Sequence, residues 1–326
     1  MKAWVCKRFS DPFELELTDI PVPEPREGEV RVRVSAAGLA FGETLILEGG
    51  YQKTPQLPYI PCSEMSGIVD AVGPDVAKLR VGDRVAAFSV SLSGGGLAEY
   101  CVLPQQFVHQ IADEIDLADA AAILMNNWTA YNALFRRANI AAGETLVVFG
   151  ASGGVGSAAL AVGQTLGART IAVGSDPAAA EFIGAAEFID YRDGDVYEKV
   201  RQLTGGRGAD VYFDPVGGEM FDQAMRAIAP AGRILVVGFT SGKPADVRTN
   251  LVLVKMISII GVEGRLAIEE TGQQGWNDLH TLVSLINEGK IRLQPTVRYK
   301  FLDAPKALND LRSRRTKGKL IVKIAA

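Results

Sequence analysis

Residues 145–156 read Thr-Leu-Val-Val-Phe-Gly-Ala-Ser-Gly-Gly-Val-Gly, an apolar run that ends in a glycine-dense turn. Ser157-Ala158-Ala159-Leu160 follows and opens a helix-like segment that reaches about Gly167. The spacing Ala151-x-Gly153-x-x-Gly156 suits one kind of chemistry, the holding of a diphosphate. Gly153 lets the backbone come close to a pyrophosphate, and Gly156 lets the helix pack against its strand. Around Ser152, Gly154 and Val155 the free amides of a helix start, with the helix dipole, favour phosphate charge. The same letters admit a second chemistry. Gly150-Ala-Ser152-Gly-Gly154 also fits G-x-S-x-G, the elbow that presents a nucleophilic serine. A triad would then need a later acid and a later histidine, and the only downstream histidine is His280, in an apolar helix-like run. A serine hydrolase using Ser152 is thus the alternative of another class.

Either chemistry needs a frame to aim it. A second apolar run, 170–174, completes strand, turn, helix, strand, the opening unit of a doubly wound parallel sheet that binds dinucleotides. Alternation of strand and helix patterns continues through 209–213, 221–228, 233–239 and 257–262. Residues 1 to about 120 differ. Glu29-Val-Arg-Val-Arg-Val34 alternates with period two, and short strands are expected at 3–7, 14–17, 67–72, 84–88 and 99–103. Turn formers such as Gly73-Pro-Asp75 and Val81-Gly-Asp83 separate them, which points to a small barrel. The last stretch turns polar, with a helix-like run near 278–288 and a final strand at 319–324.

The whole chain narrows the classes further. Its 326 residues allow two domains, and 48% apolar with 22% charged residues is ordinary for a globular protein. A net charge of −4 argues against nucleic acid and against anionic membrane as partners. Residues 1–10 carry no apolar signal core and no run approaches a membrane span, so the expected location is cytoplasmic. Cys6, Cys62 and Cys101 lie far apart without C-x-x-C spacing, which excludes a disulfide framework and a structural zinc loop.

Several motifs together resemble the medium-chain dehydrogenase/reductase superfamily, and within it the zinc-independent quinone oxidoreductases of the zeta-crystallin group. They are Ala36-Ala-Gly38, Pro61 with Glu64 and Gly67-Ile-Val, Val81-Gly-Asp-Arg-Val85, Thr129-Ala-Tyr131, Gly153-Gly-Val-Gly156, Ile189-Asp-Tyr191-Arg192 and Asp214-Pro-Val-Gly-Gly218. Gly205-Gly-Arg-Gly-Ala-Asp-Val211 and the run 232–239 add to these. The resemblance implies a GroES-like β-barrel catalytic domain over 1–121, a Rossmann nucleotide-binding domain over 122–262, and a return to the catalytic domain over 263–326. It also implies a cofactor cleft between the domains and a homodimer paired through the nucleotide domain. Val216, Gly217, Phe239 and Thr240 fall in its cofactor-binding motifs.

Where alcohol-oxidising relatives place zinc ligands, this chain has Ala40, Ser63 and Met125-Asn126; Glu64 remains and cannot hold zinc alone. No metal is expected. Without zinc to stabilise an alkoxide, the easier substrates are those that spread incoming charge themselves, quinones and α,β-unsaturated carbonyls. The expected activity is NADPH-dependent hydride transfer to a quinone or similar electron-poor carbonyl. An enone or acrylate (2-enoyl) reductase is the alternative, and a redox-inactive NADPH-binding protein is a third reading.

Cofactor choice rests on the end of the second strand. An acid there would select NAD, but Gly174 stands at that place with Ser175 next, and Asp176 before Pro177 reads as a helix cap. NADP(H) is expected. By resemblance Ser175, Tyr191 and Arg314 contact the 2′-phosphate, although Ala178 replaces a lysine common in relatives. At the substrate end, Ala40-Phe41-Gly42-Glu43 lacks the family's asparagine. Tyr51 matches a family tyrosine near the acceptor, Thr129 a contact to the nicotinamide or its ribose, and Arg265 a segment that returns towards the cofactor. Asn126 and Asn127, ahead of the Trp128 helix, read either as substitute hydrogen-bond donors or as helix caps.

Overall fold

Two sequence textures become two folding units, one of residues 1–125 with 295–326 and one of residues 126–294. The computed structural model describes residues 1–51, 53–89, 94–313 and 318–324, with the side chain of Arg265 excepted.

In the first unit β1 (Lys2–Val5) pairs with β2 (Glu16–Asp19) as a small antiparallel ribbon. The alternating run lies in β3 (Glu29–Gly38), whose valines at 30, 32 and 34 are buried. After α1 (Phe41–Leu47) come β4 (Glu64–Val72), β5 (Arg84–Phe88), β6 (Tyr100–Pro104) and β7 (Val108–Gln110). β3 is the hub, since it pairs with β4 and β6 and, on a third stretch, with a strand from the far end of the chain. Register shifts in its ladder with β4 let the sheet bend.

The chain passes into the second unit after the first residue of α2 (Met125–Tyr131), which continues into a π-helical turn over 132–137. It then alternates: β8 (Thr145–Phe149), α3 (Gly154–Thr165), β9 (Arg169–Gly174), α4 (Pro177–Ile183), β10 (Glu187–Asp190), α5 (Val196–Leu203) and β11 (Ala209–Asp214). α6 (Glu219–Ala227), β12 (Ile228–Val236), α7 (Thr249–Lys255) and β13 (Ser258–Gly261) complete the sheet. The order β10-β9-β8-β11-β12-β13 is parallel throughout. β8 is buried along its whole length, as a central parallel strand must be. Val147, Phe149, Ile171, Tyr212 and Ile234 centre the core on one sheet face.

α8 (Gly264–Thr271) and α9 (Gln273–Asn287) follow, and the chain then leaves for β14 (Thr296–Lys300), α10 (Ala304–Arg312) and β15 (Lys319–Lys323) of the first unit. The second unit therefore runs to Gln294, not to residue 262, and begins at Asn126, not at 122. Side-chain anchors explain the later exit. Trp128 Nε1 donates to the carbonyl of Gly264 (2.6 Å), Arg136 pairs with buried Asp278, and Thr165 donates to the carbonyl of Lys290 (3.0 Å). The polar surface of 263–288 hides an apolar stripe, Leu279, Leu282, Val283 and Ile286, that is buried.

Candidate functional site

At the end of β8 the chain must turn sharply, and Gly150 does so at φ +60°, a conformation glycine adopts without steric penalty. The amide of Gly153 donates to the carbonyl of Gly150 (2.9 Å), and Gly153 is the extended N-cap of α3. A Cβ on Gly156 would lie 2.2 Å from that same carbonyl oxygen, so only glycine lets α3 start this close to the strand. The amides at Gly154 and Val155 open a twelve-residue helix and have no acceptor within it. Both residues are part-exposed, as is Ser152. Turn and helix start therefore form a cradle of backbone donors that fits a diphosphate.

This cradle sits where the strand order reverses, between β8 and β11. On the β11 side, buried Asp214 accepts from the amides of Val216 (2.8 Å) and Gly217 (2.9 Å), which fixes that turn. Burial pushes the Asp214 carboxyl up, opposed by these two bonds. Val216 and Pro215 lie beside Gly150, Phe239 lies against Gly217, and the amide of Thr240 donates to the carbonyl of Pro215 (3.0 Å). The fold thus gathers Ser152, Gly153, Gly154, Val155, Gly156, Val216, Gly217, Phe239 and Thr240 at one end of the sheet. Gly174 ends β9 within reach of the Ser152 hydroxyl, Ser175 follows, and Tyr191, 48% exposed, begins the turn after β10. Asp176 takes the N-cap position of α4, yet its side chain makes no capping bond. Thr129 faces Gly264 at the start of α8. The side chain of Arg265 and the whole of Arg314 lie outside the described residues.

Ser152 does not adopt a positive φ; the left-handed residue of this turn is Gly150, which takes that conformation without strain. An elbow that presents a serine nucleophile carries the strain at the serine, so the hydrolase alternative loses its geometric support. Asn126 and Asn127 stand inside the first turn of α2 and not ahead of it. Glu64 is the reason, because it accepts from the amides of Leu124 (2.8 Å) and Met125 (2.9 Å) and starts the helix earlier.

In the first unit the ring of Tyr51 packs on Gly42, which has no side chain to keep it away. Next to it, buried Glu43 accepts from the Tyr59 hydroxyl (3.0 Å) and from the Ser63 amide (3.1 Å) and hydroxyl (3.2 Å). Desolvation and the Glu43 charge push the Tyr59 hydroxyl far up, so it stays a donor. Sequence reasoning did not single out Glu43, although it stood in the quoted run 40–43. It also missed Gln294, whose side-chain oxygen accepts from the Ser157 hydroxyl (2.5 Å) and whose side-chain nitrogen donates to the Gly154 carbonyl (3.3 Å) behind the cradle. No local pattern marks a residue that acts from the far end of its unit.

Residues 26–113 match the alcohol dehydrogenase GroES-like domain family, and residues 154–286 match the family described as zinc-binding dehydrogenase. Quinone oxidoreductase-like protein 2 of Bos taurus is 34% identical over 329 residues, 99% of this chain and 92% of that protein. The chain belongs to the quinone-oxidoreductase branch of the medium-chain dehydrogenase/reductase superfamily. It is an oxidoreductase of that superfamily, with a GroES-like unit and a Rossmann unit. The quinone oxidoreductase of Pseudomonas syringae pv. tomato DC3000 is 31% identical with a TM-score of 0.87, covering 99% of each chain. The Escherichia coli quinone oxidoreductase, solved in complex with NADPH, is 26% identical with a TM-score of 0.87, over 99% of this chain and 100% of that one.

Family kinship raises the question of zinc, and the donor set does not fit it. Ala40 offers no ligand, the Ser63 hydroxyl is spent on Glu43, and Glu64 is closed off by two amides and by Lys319 (2.8 Å). Both Glu64 and Lys319 are buried, at 2% and 3% exposure. Among the described residues no group of three His, Cys, Asp or Glu side chains is placed to hold a metal ion. No helix among them is long and apolar enough to cross a membrane.

Proposed function

We propose that the protein is a zinc-independent, NADPH-dependent reductase of quinones or similar electron-poor carbonyl compounds. The observation that carries this reading is the backbone cradle at Gly153–Gly156, closed to any larger residue at 156. A reduced nicotinamide, when bound, supplies the hydride. The chain's residues then have three tasks. The amides at Gly154 and Val155 hold the diphosphate, and the turns at Val216–Gly217 and Phe239–Thr240 wall the same strand end. Thr129 and the segment at Arg265 orient the nicotinamide side. Tyr51 donates a hydrogen bond to the acceptor oxygen, where negative charge develops as hydride arrives. Asn126 and Asn127 are further donors. A quinone needs no placed acid, because its reduced oxygen takes a proton from solvent.

The test is an NADPH-oxidation screen of the purified protein with quinones, enones, acrylates and acyl-CoA thioesters, with and without EDTA. Turnover of quinones that chelator leaves unchanged is expected; a requirement for stoichiometric zinc would overturn the reading. Tyr51→Phe separates quinones from enones. We expect a loss of about tenfold or more on enones, within the range of general acid catalysis, and a small change on quinones.

We also propose a homodimer through the second unit. β13 has a strand partner on one side only among the described residues, and α7 just before it exposes Leu253 and Val254 at 78% and 77%. A two-fold copy would pair the open edge and cover these side chains.

A further inference from the structure

The backbone cradle has a back as well as a front. Its two donors, the amides of Gly154 and Val155, belong to peptide units whose other ends are the carbonyls of Gly153 and Gly154. A peptide unit is planar, so whatever grips its carbonyl also sets where its N–H points. Side chains grip both carbonyls. The hydroxyl of Ser157, a residue 2% exposed, lies 2.8 Å from the Gly153 oxygen and 3.1 Å from the Gly154 oxygen. Gln294 Nε2 donates to the Gly154 oxygen (3.3 Å), and its Oε1 accepts from the Ser157 hydroxyl (2.5 Å). That hydroxyl has one proton to give and three acceptors within reach, whereas Gln294 brings a donor of its own to the Gly154 carbonyl.

The path that delivers Gln294 runs along α3. Thr165, the last residue of that helix, donates to the carbonyl of Lys290 (3.0 Å), and Ile291 is buried. From Thr165 back to Ser157 the helix measures about 12 Å, at about 1.5 Å per residue. Residues 290–294 cover about 13 Å when extended, at about 3.3 Å per residue. With both ends held, this segment has little slack. We infer that Gln294 is a positioning residue for dinucleotide binding, which turns the Gly154–Val155 peptide so that the Val155 amide faces the diphosphate. The inference rests on the NADPH reading above. Donation to the carbonyl also polarises the peptide and strengthens its N–H as a donor. Gln294 thus acts through the backbone and not by contact with the ligand.

Fluorescence titration of the full-length protein with NADPH at pH 8, and competition by adenosine 2′-monophosphate, which carries no diphosphate, read this without turnover. Gln294→Leu keeps the bulk of the side chain and removes both polar ends. It is expected to weaken NADPH by about fivefold, the worth of one net hydrogen bond, and to leave adenosine 2′-monophosphate unchanged. Gln294→Glu keeps the acceptor for Ser157 and loses the donor, so it should weaken NADPH at least as much. Equal losses for the two ligands would mean that Gln294 only packs, and affinity recovered in Gln294→Glu that it only serves Ser157; either overturns the inference. NADPH affinity unchanged in either variant overturns it too, so the comparison stands if one of the two fails to fold. A wild-type chain without affinity for NADPH overturns the NADPH reading itself, and this inference with it.

Discussion

At the scale of single residues, Gly156 in the second unit and Gly42 with Tyr51 in the first unit each carry a separate packing constraint. Gly156 is tightly constrained, because the atom a side chain would strike is the backbone oxygen of Gly150, which cannot swing away. Gly156→Ala should therefore cost about 1–3 kcal/mol, the usual penalty of overpacking, and should abolish dinucleotide binding. Thermal denaturation and fluorescence titration with NADPH measure the two effects; a variant that binds NADPH normally would show that the close approach is dispensable. Gly42 plays a quieter part by letting the Tyr51 ring close over α1. Tyr51 also packs against the apolar cluster around Leu39, Ile46 and Leu47. The packing of its ring is separable from the role proposed for its hydroxyl, which is why Tyr51→Phe and not Tyr51→Ala tests that role.

At the scale of elements, the Glu64–Lys319 pair joins β4 to β15 across β3, which lies between them. A buried ion pair is expensive to break from one side, because the survivor is left charged without a partner. Lys319→Met should therefore lose about 3–5 kcal/mol in urea unfolding, and the double variant Glu64→Leu/Lys319→Met should lose less than the sum of the single losses. Simple additivity would mean that the two side chains do not depend on each other. The pair also bears on chemistry. It ties the Glu64 carboxylate into the sheet, and the same carboxylate sets where α2 begins.

At the scale of the whole molecule, the edge of β13 that has no strand partner among the described residues and the exposed residues of α7 argue for the proposed second copy. Leu253→Glu with Val254→Glu should shift the protein towards a monomer in sedimentation velocity, with each unit still folded. A wild-type sedimentation coefficient already that of a monomer would remove the argument. Much of this architecture was legible in the order of residues. The period-two run at 29–34, the all-apolar run at 145–149 and the glycines after it announce a half-buried strand, a central parallel strand and a tight turn into a helix, because each depends on chain neighbours alone. The motifs from 189 to 192 and from 214 to 218 likewise marked strand ends that the sheet gathers beside the cradle. What the tertiary structure decided is everything that depends on partners far along the chain. The second unit's exit at Gln294 follows from anchors to residues more than a hundred positions earlier, and the start of α2 follows from a carboxylate on β4. The donor behind the Gly154–Val155 peptide follows from residues 290–294 being held along α3. Local patterns are set by backbone geometry and hydrophobic period, whereas the partner of a buried charge is chosen only when the sheet brings distant strands together.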